Sequence, residues 1–247
     1  MVLLDKLPNV TVVTGKRLSA TDVLDYGAAA VVIATGSRWS GEGMQANTHE
    51  PIDGADPSLP HVLTPEQVAE LGERPPGKRV VVYDAEGYFT GPGIAELLAK
   101  EGFDVELVTS LEVVSPLSDL TVEGPLLRQA LHDAGVRMTT GVTITSIEPG
   151  RLGGETEFGD PWSLECDGVV LVTQQVSDDE LYRELVGDPE GLERAGIERV
   201  IRIGDAVAPR MISEAVFEGH RAARELELSD PMAVRLFDRE RRVPGPM

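Results

Sequence analysis

Residues 79–109 constrain the fold more than any other stretch of the sequence. Val80 to Tyr83 is a continuous apolar run, the pattern of a strand buried on both faces of a parallel sheet, and Val105 to Val108 is predicted to form the next strand. Between them Pro92 can begin a helix and Gly102 can end it. A strand, a helix and a strand within about thirty residues form a βαβ unit, so we predict an α/β protein with a parallel sheet.

Further elements follow from the same rules. The other predicted strands are Thr11–Thr14, Ala29–Ala34, Val136–Ile147, Val169–Val172 and Val200–Ile203, with a β-ribbon within 148–167. The other predicted helices are a short one that Thr64 caps and that ends near Leu71, one from Pro125 to Ala134, part of 173–196, and an amphipathic helix whose apolar stripe runs from Ile212 to Leu226.

Two of these strands end in short turns that suit a ligand. The strand at 29–34 runs into Thr35-Gly36, and the strand at 200–203 runs into Gly204-Asp205 ahead of the long helix. A carboxylate at such a turn can bind sugar hydroxyls, and neighbouring N–H groups can bind phosphate or a flavin ring. Each turn alone also has a plainer interpretation, as an N-cap or a simple chain reversal.

The order of strand, βαβ unit and strand is typical of two-dinucleotide flavoproteins, in which one Rossmann-type domain interrupts another. We therefore predict an α/β, Rossmann-like three-layer fold of the pyridine nucleotide-disulfide reductase type. The inserted domain is expected at 65–172, the outer domain at 1–64 and 173–230, and an extended C-terminal tail at 231–247.

The outer domain is expected to be incomplete. Residues 1–36 contain no succession of strand, glycine-rich turn and helix, so we expect the chain to begin part-way through that domain. An incomplete sheet exposes an apolar edge, which predicts either a partner chain or low stability.

The loop inside the βαβ unit argues against a nicotinamide dinucleotide site. Such sites need G-x-G-x-x-G between strand and helix, whereas Asp84 to Gly93 has its glycines at other spacings. Asp84 and Glu86 stand where a pyrophosphate would lie, and a like-charge contact at ~4 Å costs about 4 kcal/mol at an effective dielectric near 20. The next strand ends at Thr109-Ser110, without the acid or arginine that would hold the ribose of NAD or NADP. We predict a structural relic that binds no NAD(P).

Charge and cysteine content exclude several functions. Asp and Glu number 42 against 22 Lys and Arg, a net charge of −20 that repels nucleic acid and anionic membranes. The longest apolar run, at 28–34, is too short to span a bilayer. The single cysteine, Cys166, excludes an internal disulfide and a four-thiolate iron–sulfur cluster within this chain, and it fits the reducing cytoplasm.

Several conspicuous residues are predicted to have structural roles only. The four histidines show no metal-ligand spacing, and His132 and His220 are expected on helix surfaces. Cys166, Trp39 and Trp162 are expected to make packing contacts.

Several short stretches carry a resemblance that covers nearly the whole chain. They are Thr21–Gly27, Val32–Trp39, Leu63–Val68, Gly77–Val81, Ile203–Ala206, Ala208–Arg210 and Gly219–Arg221. They resemble the C-terminal part of the trimethylamine, dimethylamine and histamine dehydrogenase family, which is related to the 2,4-dienoyl-CoA reductases. The degenerate loop at Tyr88-Phe89 resembles the amine-dehydrogenase branch.

The resemblance implies a flavin oxidoreductase. In this family an N-terminal TIM barrel with FMN and a 4Fe-4S cluster oxidises an amine and passes electrons to an electron-transferring flavoprotein. The first dinucleotide domain holds ADP or FAD. The positions that line this nucleotide are matched here by Thr35, Gly36, Gly204, Asp205 and Ala206.

This sequence lacks several parts that the family contains. It has no counterpart of the barrel, the FMN site or the cluster cysteines, so FMN and 4Fe-4S are expected only in a partner or a missing N-terminal part, and no catalytic residue carries over. We predict the nucleotide-binding portion or small subunit of an amine-dehydrogenase-like flavoenzyme, cytoplasmic and inactive alone. A stand-alone FAD-dependent NAD(P)H oxidoreductase and a non-enzymatic adenine-nucleotide-binding subunit remain alternatives.

Overall fold

The computed structural model describes residues 4–226, which fall into two compact units. Unit 1 contains residues up to Gly36 and those from Asp178 onward, and unit 2 is Ser37–Ser177. The tail predicted at 231–247 lies outside the described residues.

The described residues form the following helices and strands. The helices are α1 (Ala20–Tyr26), α2 (Pro65–Ala69), α3 (Thr90–Lys100), α4 (Gly124–Asp133), α5 (Glu180–Val186), α6 (Pro189–Ala195) and α7 (Ile212–Glu225). The strands are β1 (Ala30–Ile33), β2 (Ser37–Trp39), β3 (Val62–Leu63), β4 (Arg79–Asp84), β5 (Asp104–Val108), β6 (Arg137–Thr139), β7 (Val142–Glu148), β8 (Arg151–Thr156), β9 (Pro161–Glu165), β10 (Gly168–Val172), β11 (Gln175–Ser177) and β12 (Arg199–Arg202). Three short 3-10 turns complete the set: Leu4–Lys6, Pro116–Asp119 and Gly204–Ala206.

Unit 2 is built on a five-stranded parallel sheet with the order β3-β10-β4-β5-β6. The predicted βαβ unit forms its centre, because α3 connects β4 to β5 and Val82 pairs with Leu107. Val82 and Leu98 belong to a core on one face, and Val81 and Tyr83 belong to a core on the other. The continuous apolar run from Val80 to Tyr83 therefore reflects a strand that is buried on both faces.

A three-stranded antiparallel sheet, β7-β8-β9, covers the Tyr83 face of the parallel sheet. It contains the predicted ribbon, but the single strand expected over 136–147 is wrong. That stretch divides into β6 and β7, because Gly141 between them has a φ of +68°, a left-handed conformation that ends the first strand.

Unit 2 extends beyond the boundaries expected at 65 and 172, because two short strand pairings include residues outside them. β2 pairs antiparallel with β11, so that Trp39 lies opposite Gln175. β3 joins the parallel sheet through Leu63, which pairs with Val170. Residues on the far side of both expected boundaries are thereby hydrogen-bonded into this unit.

Unit 1 holds a two-stranded parallel pair, β1 with β12. Its small core contains Val23 of α1, Ile33 of β1, and Leu185 of α5. The amphipathic helix predicted after Gly204 forms as α7, but none of its residues is buried within the described chain. Ile212, the first residue of its stripe, is 83% exposed.

The strand predicted at Thr11–Thr14 is wrong. These residues adopt no regular secondary structure, and Val13 is 76% exposed. A strand needs a neighbouring strand to receive its backbone hydrogen bonds, and none of the described strands pairs with this segment.

The short helix α2 depends on a cap that the sequence predicts. The Thr64 hydroxyl accepts the N–H of Gln67 at 3.4 Å, and Gln67 Oε1 accepts the N–H of Thr64 at 2.9 Å. We expect Thr64→Ala to lower the free energy of unfolding by about 1 kcal/mol, because a Thr cap is worth roughly 0.5–2 kcal/mol. Thr64→Ser keeps the hydroxyl and is the control in urea unfolding. Equal losses in both variants would contradict the cap.

Candidate functional site

The two turns predicted to bind a nucleotide lie at one end of the same parallel pair. Ile33 pairs with Arg202, and the N–H of Ile203 donates to the Ile33 carbonyl at 2.9 Å. Because the strands run in the same direction, Thr35-Gly36 and Gly204-Asp205 both follow at the carboxyl ends of β1 and β12. Ligands of α/β proteins bind at such strand ends.

The first turn is held by the chain where it returns to unit 1. The Thr35 hydroxyl donates to the Asp178 carbonyl, and the Asp178 N–H donates to the Gly36 carbonyl at 2.9 Å. Gly36 has a φ of +82°, which residues with a side chain rarely adopt. The strand followed by Thr and Gly therefore forms a turn that these hydrogen bonds hold against the backbone of Asp178.

The second turn differs from the expectation in one respect. Its N–H groups are predicted to face a ligand, but the N–H of Gly204 donates to Glu218 Oε2 of α7 at 2.6 Å. Glu218 also pairs with the guanidinium of Arg210, and this contact holds the pKa of the Glu218 carboxyl below its ordinary value. A ligand that uses the Gly204 N–H must therefore displace the Glu218 carboxylate.

Asp205 and Ala206 complete the second turn in different ways. Ala206 is fully buried and contributes packing. Asp205 Oδ1 accepts the N–H of Arg210 at 3.2 Å, which closes the loop between β12 and α7. The turn itself is a three-residue 3-10 segment, so Asp205 does not lie at the start of α7, which begins only at Ile212.

A groove of about 760 Å³ runs along β1 within unit 1. One wall is β1 and its continuation, from Val31 to Thr35, and the other includes residues 16–19. Two cations of this wall are ion-paired: Lys16 contacts Asp22 at 2.6 Å and Arg17 contacts Asp178 at 3.5 Å. Thr35 thus lies where the groove meets the strand ends.

In unit 2 the strand ends of the βαβ unit hold a carboxylate. Asp84, the last residue of β4, is fully buried, and its Oδ1 accepts the N–H of Glu86 at 3.1 Å and of Gly87 at 2.9 Å. A Cβ added to Gly91 would lie 2.5 Å from the Asp84 carboxyl carbon. The Asp84 side chain therefore fills the space beneath the first turn of α3.

Burial raises the pKa of Asp84 to about 7, and the nearby Glu86 carboxylate adds to the effect. Burial also raises the pKa of Glu86. One oxygen of each carboxyl, and the hydroxyl of Thr173 at the end of β10, have no hydrogen-bond partner among the described residues. This arrangement favours a protonated Asp84.

The remaining conspicuous residues lie in the surroundings expected of them. Cys166 is buried in the core on the Tyr83 face, and burial raises the pKa of its thiol to about 11. Trp39 and Trp162 pack against the two cores of unit 2. His132 and His220 are exposed. Residues 4–226 contain no cluster of His, Cys, Asp and Glu that could hold a metal ion.

Known proteins resemble the chain in sequence and in structure. Residues 63–182 match the family described as the OYE-like second alpha/beta domain. Dimethylamine dehydrogenase of Hyphomicrobium sp. is 40% identical over 93% of this chain. The resemblance to the amine dehydrogenase family is confirmed.

Two solved structures extend the comparison. Histamine dehydrogenase from Rhizobium sp. 4-9 is 36% identical, with a TM-score of 0.88 over 94% of this chain. The 6-hydroxypseudooxynicotine amine oxidase from Pseudomonas geniculata N1 is 37% identical, with a TM-score of 0.82 over 89% of this chain. The chain spans about a third of each relative, namely 34%, 36% and 32% of their lengths.

The helices of the described chain are short. None of those within 4–226 is both long enough and apolar enough to cross a bilayer.

Proposed function

We propose that the chain is the adenine-nucleotide-binding portion of an amine-dehydrogenase-like flavin oxidoreductase that acts in the cytoplasm. The observation that carries this proposal is the meeting of Thr35-Gly36 and Gly204-Asp205 at one end of β1 and β12. Strand ends of this kind bind nucleotides in Rossmann-like folds, the fold type we propose for both units. The relatives are amine dehydrogenases and an amine oxidase by name.

The residues of unit 1 fit the ribose of an adenine nucleotide better than its phosphates. The carboxylate of Asp205 has several lone pairs, so it can accept a ribose hydroxyl while it holds the N–H of Arg210. Thr35 and Gly36 would border the ligand with backbone, and Ala206 would fix the turn from below. A phosphate would meet the Glu218 carboxylate at the Gly204 N–H, so the described residues do not themselves provide a phosphate cradle.

The amine chemistry would belong to a portion with FMN and a 4Fe-4S cluster, in a partner or in a missing N-terminal part, and this portion would supply amine oxidation and electron transfer. A single cysteine cannot hold such a cluster, so we expect no amine turnover by this chain alone. An electron-transferring flavoprotein would accept the electrons. Copurification of the tagged chain, with an absorbance spectrum, tests this part. A colourless chain that purifies alone contradicts it, and a yellow chain bleached by NADH favours the stand-alone oxidoreductase.

The proposal includes no NAD(P) site, because the Asp84 carboxyl takes up backbone N–H groups of the loop between β4 and α3. The Asp84 carboxyl already accepts the N–H groups of Glu86 and Gly87, which in a dinucleotide site would face the pyrophosphate.

The nucleotide site is tested by changing its carboxylate. We expect ADP to bind in isothermal titration calorimetry, and Asp205→Asn to weaken it about tenfold or more, because a hydrogen bond to a charged acceptor is worth roughly 1.5–3 kcal/mol. Asn keeps an oxygen for the Arg210 N–H, so the turn is preserved.

Asp160→Asn is the matched control, because Asp160 is an exposed carboxylate in the turn between β8 and β9 of unit 2. Binding of ADP that is unchanged in Asp205→Asn, or reduced equally in both variants, would refute the site. Binding of ADP without any flavoprotein partner in copurification would favour the non-enzymatic alternative.

A further inference from the structure

The carboxylate of Glu218 on α7 occupies two groups that bind anions. Its Oε2 accepts the N–H of Gly204 at 2.6 Å, and its Oε1 pairs with the guanidinium of Arg210. Backbone N–H groups and arginine side chains are donors that proteins use for phosphate and for carboxylate. The turn after β12 therefore presents a pair of anion-binding donors, and a side chain of the same chain fills the position between them.

Other contacts hold these two donors in place. Arg210 donates its backbone N–H to Asp205 Oδ1 at 3.2 Å and its Nε–H to the carbonyl of Ala208 at 3.2 Å. The N–H of Ala208 donates to the carbonyl of Gly204 at 3.3 Å. None of these hydrogen bonds involves Glu218. The turn would therefore still present both donors to another anion if the Glu218 side chain moved away.

The Glu218 side chain can turn outward without opening the core. It is 20% exposed, and no residue of α7 is buried within the described chain. Water can solvate the released carboxylate, whereas the guanidinium of Arg210 stays charged and attracts another anion. Two negative groups repel each other at contact distance, so a bound phosphate and the Glu218 carboxylate exclude one another from these donors.

The donors lie beside the proposed ribose acceptor, because Asp205 directly follows Gly204 in the chain. A nucleotide carries its phosphate on the same ribose whose hydroxyl Asp205 would accept. We propose that Glu218 is an internal competitor of the nucleotide phosphate. It holds the Gly204 N–H and the Arg210 guanidinium in the free chain, and the phosphate replaces it when the nucleotide binds. The identity of the anion rests on the proposed function, whereas the occupied donors rest on the contacts of Glu218 itself.

Calorimetry on the full chain with ADP, adenosine and pyrophosphate tests the proposal. Glu218→Gln removes the charge but keeps an oxygen that can accept the Gly204 N–H. We expect ADP to bind this variant about tenfold more tightly than the parent, because the phosphate no longer displaces a charge-assisted contact. Adenosine has no phosphate and should bind both chains equally. Pyrophosphate should bind Glu218→Gln and show no binding to the parent.

Two further variants separate this effect from a general change of charge. Glu214→Gln is the matched control, because Glu214 lies on the same helix and its carboxylate accepts the hydroxyl of Ser213 at 2.7 Å. It should bind ADP as the parent does. Arg210→Gln should weaken ADP about tenfold or more and leave adenosine unchanged, because only the phosphate uses the guanidinium. Circular dichroism checks that each variant is folded, and Arg210→Gln keeps the proposal testable if Glu218→Gln is not.

Three results would overturn the proposal. These are equal binding of ADP by the parent and Glu218→Gln, an equal gain in Glu214→Gln, and a gain for adenosine as large as that for ADP. If Asp205→Asn weakens adenosine and ADP while Glu218→Gln changes neither, the nucleotide site is supported and the competition is refuted. If pyrophosphate binds Glu218→Gln while ADP and adenosine bind no form of the chain, the competition for an anion is supported and the nucleotide site is refuted.

Discussion

The Asp84→Asn variant is expected to be more stable than the parent chain above pH 7, by up to about 4 kcal/mol, and nearly equal to it near pH 4. Burial raises the pKa of Asp84 from 3.8 to about 7. Between these values the folded chain binds a proton that the unfolded chain has lost, so the parent's stability falls as the pH rises. About three pKa units at roughly 1.36 kcal/mol each give the expected difference.

Asparagine suits this position because it preserves the local hydrogen bonds. Its carbonyl oxygen can accept the N–H groups of Glu86 and Gly87 that Asp84 Oδ1 now accepts. Urea unfolding at several pH values from about 4 to 8 measures the effect. Asp160→Asn, an exposed change of the same chemistry, should leave the pH profile parallel to that of the parent. A parallel profile for Asp84→Asn as well would show that Asp84 does not bind the proton.

Asp84 also illustrates how far the sequence argument reaches. The sequence shows carboxylates in the loop where a dinucleotide would need glycine, and it predicts that they repel a pyrophosphate. The structure places the Asp84 side chain against Gly91, in the space under α3. The depth at which a carboxylate is buried depends on packing by residues distant in sequence, so a local pattern cannot reveal it.

The elements that follow local rules could be predicted. The strands around Val82 and Leu107 are recognisable because apolar runs mark buried parallel strands. The Thr64 and Gln67 capping box has a spacing that is visible in the sequence. Thr35 and Gly204 each follow the end of a strand, which is also a local pattern, whereas the pairing of these two strands is expected only from the Rossmann-like order of the elements.

The parts that depend on distant pairing could not be predicted. β2 and β11 are three-residue strands with polar residues, and Trp39 meets Gln175 only because the whole of unit 2 folds between them. Glu218 lies fourteen residues after Gly204 and accepts its N–H. No sequence pattern at that spacing predicts the contact. Residues 11–14 have the composition of a strand, but strand formation also needs a neighbour.

A large loss of stability in unit 2 is expected from Leu98→Ala, by about 2–5 kcal/mol. Leu98 is fully buried on α3 and belongs to the core on the helix face of the parallel sheet, together with Val82 and Leu107. Removing its side chain deletes buried apolar surface and leaves a cavity that close-packed neighbours fill only partly. Because α3 connects the two strands of the βαβ unit, the loss of stability tests the packing of this unit, which the sequence predicts most clearly.

Tryptophan fluorescence can assign this loss to unit 2, because both tryptophans of the chain, Trp39 and Trp162, lie in that unit. The urea midpoint of the fluorescence transition should fall for Leu98→Ala. Leu126→Ala is the matched control, since Leu126 is 72% exposed on α4, and it should change the free energy of unfolding by no more than about 0.5 kcal/mol. Equal shifts in the two variants would mean that α3 does not bury this face against the sheet, and the βαβ unit would then need a different register.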